Sequence, residues 1–164
     1  MKALAFVGWS GSGKTTLILR LLPLLRSRGL SVGYLKSDVH GFEMDREGKD
    51  TWRLFEGGAT RVGILSAGEG ALRFRPESRS LPDLLDEFFG GCDLVLVEGF
   101  KSSALPKIEV LSGARVLADD DATLRAVVSD APGPGALPRF ARDDVAAIAR
   151  FVEAALLGTM GPSR

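Results

Sequence analysis

Short apolar runs alternate along this chain with longer amphipathic stretches, the rhythm of an α/β protein. Ala3-Leu4-Ala5-Phe6-Val7 is unbroken by any turn residue and reads as a buried strand. From about Lys14 to Arg28, Leu17, Ile18, Leu21, Leu22, Leu24 and Leu25 recur at helical spacing and build a broad apolar face. Gly29 is a suitable stop, and Pro23 removes a backbone hydrogen bond inside the helix, so a kink is expected there. Ser31 to Lys36 reads as a second strand, at a distance that fits a βαβ crossover and therefore parallel strands. Asp93-Leu94-Val95-Leu96-Val97-Glu98-Gly99 is aliphatic on both faces, as a strand in the middle of a parallel sheet must be. Strands are also expected at Ile108 to Leu111 and Arg125 to Ser129. A last helix should run from Asp143 to Leu157 with Val145, Ile148, Ala149, Val152 and Leu156 facing the core.

The middle of the chain reads differently. After Lys36 the apolar periodicity stops, and Ser37 to Asp50 is a long, charged, glycine-punctuated loop. Asp50 suits the N-cap of a short helix, Thr51 to Glu56, closed by Gly57-Gly58. Thr60 to Ser66 and Ala71 to Arg75 look like two strands joined by Ala67-Gly68-Glu69-Gly70. Leu72 and Phe74 should give that hairpin a buried face and Arg73 and Arg75 a wet one, at one edge of the main sheet. Leu81 to Phe89 reads as a helix, with Ser80 as N-cap and Pro82 in its first turn. The expectation is one domain over 1–157, a mostly parallel sheet flanked by helices, with residues 158–164 frayed.

Composition narrows the classes. Lysine plus arginine equals aspartate plus glutamate at 21 each, which argues against a general nucleic-acid or membrane-surface binder. Arg20 and Pro23 interrupt the longest apolar stretch before it reaches the length of a membrane span. Met1-Lys2 leads straight into the first strand, without a signal-peptide pattern. One cysteine and one histidine leave no intrachain disulfide and no Cys/His zinc cluster, so a reducing, cytoplasmic setting fits best. Cys92 reads as a small buried filler and His40 as an ordinary exposed histidine rather than a general base.

The chemistry sits where the first strand ends. Gly8-Trp9-Ser10-Gly11-Ser12-Gly13-Lys14-Thr15 satisfies every fixed position of G-x-x-x-x-G-K-[ST], between a strand and a helix start. Glycines let such a loop curl its N–H groups inward, and the helix start adds its positive end, so Gly8, Ser10, Gly11, Ser12, Gly13, Lys14, Thr15 and Thr16 form a candidate polyphosphate cradle. Lys14 can neutralise β- and γ-phosphates, and the Thr15 hydroxyl is a suitable hard ligand for Mg²⁺. A glycine turn that merely joins strand to helix is the alternative, and the register of strand, loop and helix argues against it. The expected fold class is accordingly a P-loop NTPase. Glu98, at the end of its strand, would lie beside this loop if the two strands are neighbours, where an acid can hold Mg²⁺ or polarise an attacking water. The bland reading of Glu98 is a surface residue starting a turn. Among the loop acids Asp38, Glu43, Asp45 and Asp50, Asp38 is the candidate third metal ligand, against the alternative of a solvated loop. No Asn-Lys-x-Asp motif is present, and Asp130, after a late strand, is the candidate for contacting a nucleotide base; a turn-starting aspartate is its alternative. Asp119-Asp120-Asp121 reads as a solvated acidic loop.

Three stretches together resemble the MobB family of molybdopterin guanine dinucleotide synthesis. They are Gly8 to Leu17; Asp45 to Arg53 followed by Gly57-Gly58-Ala59; and Asp93 to Lys101 followed by Pro106-Lys107-Ile108-Glu109-Val110. The resemblance implies a homodimeric GTP-binding protein with weak, Mg²⁺-dependent GTPase activity. It also implies work beside the guanylyltransferase that joins GMP to molybdopterin, and beside a molybdenum-inserting enzyme. The family usually carries histidine after the lysine that ends strand two and a histidine pair a little later; this chain has Ser37 and then Val39-His40. Phe100, Lys101, Lys107 and Glu109 are candidates for a pterin-phosphate or partner site, or else ordinary exposed charges on a strand. A small-molecule kinase using the same phosphate loop is the rival reading, although no helical lid insertion is apparent and Arg53 and Arg61 are its candidate lid arginines.

Overall fold

Strand β1 (Lys2–Val7) buries Leu4, Ala5, Phe6 and Val7, because neighbouring strands flank it and helices cover both its faces. The computed structural model describes residues 2–38, 41–77, 79–113, 115, 117, 121–133 and 135–157. They gather into two compact units, Met1–Ser37 with Leu81–Arg164, and Asp38–Ser80.

The first unit is built on a six-stranded sheet. Its further strands are β2 (Val32–Lys36), β5 (Leu94–Glu98), β6 (Lys107–Val110), β7 (Leu124–Val128) and β8 (Arg139–Phe140), in the order β2-β5-β1-β6-β7-β8. Every pairing in it is parallel. β5 lies between β1 and β2 and all five of its residues are buried, which explains why the Leu94 to Val97 run is apolar on both faces. Helices α1 (Lys14–Ser27) and α4 (Val145–Leu157) cover one face, where Leu17, Ile18, Leu21 and Leu25 meet Leu4, Phe6, Leu96, Ile148 and Val152. Helix α3 (Leu81–Phe89) covers the other, with Leu85 against Ala5, Val7, Val95 and Val97. Cys92 is half-buried against that second cluster, close to the filler role expected of it. Helix α1 continues through Pro23, which lies on its exposed side. The two-residue strand β8 has no periodicity of its own and was not expected from the sequence.

The second unit holds α2 (Asp50–Glu56) and a hairpin of β3 (Arg61–Leu65) and β4 (Gly70–Phe74). Two expectations are corrected here. Asp50 is the first helical residue and Lys49 takes the capping position, without a side-chain cap; the acid favours the helix through its position in the first turn. The hairpin is antiparallel as expected and pairs as a two-stranded sheet, but Leu72 is exposed rather than buried. Arg73 of β4 and Arg75 just after it pack instead. The guanidinium carbons of Arg73 and Arg75 lie 3.8 and 4.3 Å from the ring centroid of buried Phe55, and Arg73 also meets Glu56 at 3.1 Å. Two strands cannot close an apolar layer, so stacked cations on one aromatic ring complete the packing. The calls on Val39, His40, Asp119, Asp120, the Leu156 side chain and residues 158–164 lie outside the described residues.

Leu21 is fully buried on α1 and Leu19 is 63% exposed on the same helix. Leu21→Ala should cost about 2–5 kcal/mol in urea unfolding, whereas Leu19→Ala should stay within about 0.5 kcal/mol.

Candidate functional site

The carboxyl end of β1 emerges between two parallel neighbours, β5 and β6, so the glycine loop opens at the edge where three strands end. In open α/β sheets this edge is where ligands bind. Gly8 leaves the strand at φ +148°, and a Cβ there would lie 2.3 Å from the Val110 carbonyl oxygen and 2.7 Å from Ser12 Oγ. Only glycine allows that approach. Gly13 occupies the N-cap of α1 with left-handed backbone (φ +90°), and no side chain caps the helix. The first-turn amides of Lys14, Thr15 and Thr16 have no intrahelical acceptor, and the positive end of the helix lies beside them. An anion would complete such a terminus.

The loop is held from within. The Ser12 amide donates to the Trp9 carbonyl at 3.1 Å, and Lys14 Nζ donates to the carbonyls of Gly8 at 3.0 Å and Trp9 at 2.9 Å. Ser10, Gly11 and Thr16 are exposed along the loop and the first turn. Ser12 is buried, and its hydroxyl has no hydrogen-bond partner among the described residues.

The parallel pairing of β1 with β5 sets Glu98 opposite Phe6 and so beside the loop. Its side chain is 7% exposed as part of the residue and is met by two hydroxyls. Thr15 Oγ1 lies 2.9 Å from Oε2 and 3.1 Å from Oε1, and the Tyr34 hydroxyl donates to Oε2 at 2.8 Å. Burial pushes the Tyr34 phenol well above its ordinary pKa, and the hydrogen bond to Glu98 and that carboxylate's charge push it the same way. Tyr34 therefore keeps its proton and stays a hydrogen-bond donor to Glu98. The surface-turn reading of Glu98 does not hold, because the residue is buried.

Asp130 is exposed, and its carboxylate accepts from the Arg142 amide at 2.9 Å and lies 3.4 Å from Arg142 Nε. Arg142 then reaches the glycine loop. Its Nη1 donates to the Ser12 carbonyl at 2.6 Å, its Nη2 donates to the Leu111 carbonyl, and a Cβ on Gly13 would lie 2.8 Å from Nη1. Asp38 falls in the other unit and is exposed, while the Thr15–Glu98 contact lies wholly within the first. Asp45 accepts from the Arg46 amide and the Thr51 hydroxyl, so its carboxylate serves its own loop. Glu98, Thr15, Lys14 and Asp130 thus meet around one loop. Tyr34 and Arg142 join them without any cue from the local sequence.

The second charged motif is also corrected. Lys107 and Glu109 are buried, neither exposed charges nor the lining of an open site. Lys107 Nζ donates to the carbonyls of Ser103 and Leu105 and to Thr123 Oγ1 at 2.5, 3.3 and 2.6 Å. Burial lowers its pKa, and the nearby Asp121 charge partly offsets this. Glu109 accepts from Arg115 Nε at 2.9 Å and the Leu117 amide at 3.0 Å. Both side chains tie the connections after β5 and β6 to the sheet. Asp121 accepts from the Thr123 amide and hydroxyl, and that same hydroxyl meets Lys107.

Among the described residues, no group of three or more His, Cys, Asp or Glu side chains is placed to hold a metal ion. Thr15 and Glu98 are two hard oxygen ligands at the helix start, which fits an ion that keeps several waters and shares phosphate oxygens. No helix among the described residues is long and apolar enough to cross a membrane.

A family model described as molybdopterin guanine dinucleotide synthesis protein B matches residues 3–130. The chain is 42% identical over 107 residues to the molybdopterin-guanine dinucleotide biosynthesis adapter protein of Haemophilus influenzae, a match covering 64% of this chain and 60% of that protein. It is 35% identical over 159 residues to the adapter protein of the same description from Escherichia coli, covering 91% of this chain and 90% of that one. The crystal structure of Bacillus subtilis MobB superposes with a TM-score of 0.77 at 30% identity, over 95% of this chain and 98% of that one. With the glycine loop, the β1–β5 pairing and the buried Glu98 all in place, the chain belongs to the molybdopterin guanine dinucleotide synthesis protein B family, MobB.

Proposed function

We propose that this chain is a GTP-binding adapter with slow, Mg²⁺-dependent hydrolysis, assisting guanylyl attachment to molybdopterin in molybdenum cofactor biosynthesis. The observation that carries this reading is the Thr15 hydroxyl bonded to the buried Glu98 carboxylate, at the start of a helix no side chain caps. The relatives' description as adapter proteins supports the biosynthetic role.

The residues divide the work by their chemistry. The loop amides and the start of α1 take the phosphate oxygens. Lys14 exchanges the carbonyls of Gly8 and Trp9 for the β- and γ-phosphates, trading two neutral acceptors for charged ones. Thr15 would offer its oxygen lone pairs to Mg²⁺ while its hydroxyl proton stays directed at Glu98. The ion supplies charge neutralisation at the phosphates. Arg142 stiffens the loop from behind through the Ser12 carbonyl. Glu98 already accepts from two hydroxyl donors, which leaves fewer of its lone pairs to orient an attacking water and fits slow turnover. The partners are a molybdopterin guanylyltransferase and a molybdenum-inserting enzyme, the state a homodimer, and the setting the cytoplasm.

Calorimetry with Mg²⁺ should show tighter binding of GTP than ATP. A clear ATP preference, or no heat with any purine triphosphate, overturns the reading; a phosphorylated acceptor from a metabolite panel would favour the kinase instead. Lys14→Ala should weaken GTP binding by about 100-fold or more, or about 2.7 kcal/mol, in the same titration. Asp130 is the proposed guanine reader, with lone pairs to spare beyond Arg142. Asp130→Ala should then lower GTP affinity by about tenfold and leave ATP affinity nearly unchanged. An equal loss for both nucleotides would assign Asp130 to holding Arg142 alone.

A further inference from the structure

We infer that Tyr34 is a positioning residue for the metal-dependent part of nucleotide binding, acting through Glu98; this rests on the reading proposed above. The two residues lie on adjacent parallel strands. Tyr34 is level with Leu96 and Lys36 is level with Glu98, so the Tyr34 ring starts one side-chain repeat behind Glu98 on the same face of the sheet. From there it extends toward the carboxyl edge and places its hydroxyl 2.8 Å from Glu98 Oε2. Both anchors are strand backbone paired over five positions, which fixes a side chain more narrowly than a loop would.

The donor count explains why Tyr34 matters. The Thr15 hydroxyl has one proton and lies within reach of both carboxylate oxygens, 2.9 and 3.1 Å away. Alone it could bond either oxygen and leave the carboxylate free to turn. The Tyr34 donor removes that freedom by taking Oε2, and Oε1 keeps the larger acceptor capacity for an ion or its water shell. Nothing else about Tyr34 explains this contact. The residue is 38% exposed and belongs to neither hydrophobic cluster, so its hydroxyl is directed at a buried charge while its ring contributes little to the core.

Tyr34→Phe keeps the ring and removes only the donor. GTP binding would be titrated calorimetrically for the original chain and the variant, once in Mg²⁺ and once in EDTA. In EDTA the two affinities should agree within about twofold, and in Mg²⁺ the variant should bind about tenfold more weakly, the size of one hydrogen bond to a charged group. Trp9, 52% exposed in the loop, gives a second readout: its fluorescence titration with Mg²⁺ at saturating GTP should move to higher concentration. In a Glu98→Gln background the same Tyr34→Phe change should have no further effect on Mg²⁺ dependence, because the residue acts through the carboxylate. Equal Mg²⁺ dependence in the original chain and Tyr34→Phe overturns the inference, as does an undiminished Tyr34→Phe effect in the Glu98→Gln background. Should the original chain itself show no Mg²⁺ enhancement of GTP binding, the proposed function fails and the inference falls with it.

Discussion

A carboxylate buried at the end of a fully buried strand must be met by hydrogen-bond donors, because its lone pairs have lost their water. Glu98 meets that constraint with Thr15 from the start of α1 and Tyr34 from β2. This contact joins three elements that come from distant parts of the chain. It requires β5 to run between β1 and β2, and it requires α1 to begin at the loop's end. The sheet order, the loop and the helix start are thus parts of one electrostatic arrangement.

The glycine loop is stiff before any ligand arrives. Lys14 bonds two of its carbonyls, Arg142 bonds a third, and the β6 backbone crowds Gly8 so closely that a Cβ has no room. A cradle preformed in this way loses little conformational freedom on binding. The arrangement around Arg142 also connects the loop to Asp130, so the residues after β7 and the glycine loop share one guanidinium. On the opposite face of the sheet, buried Lys107 and Glu109 perform a comparable task for the connections after β5 and β6. Burial of these charges is tolerated because each meets several partners of suitable polarity.

Much of this was legible in advance. The strand, loop and helix of Lys2 to Ser27 follow from an apolar run, a glycine spacing and a helical repeat, all of them local. Val95 and Val97 alternating with Leu94 and Leu96 announced a strand covered on both sides. The misreadings share one cause. Period-two alternation marked Leu72 and Phe74 as inward, but a two-stranded sheet has no second layer to turn them toward, and Phe55 drew the arginines instead. Lys107 and Glu109 looked exposed because charge is a poor guide to burial once partners from other loops converge.

By itself the amino-acid order determined the glycine loop, the parallel strands and the acid at the end of one of them, since these depend on residues a few positions apart. Tertiary structure alone decided which side chains hold that acid and brace that loop. Tyr34 and Arg142 act across 64 and 130 positions of chain, to Glu98 and to Ser12. A hydrogen bond between such distant residues leaves no periodic trace in sequence, because its geometry is set by strand order and packing rather than by spacing.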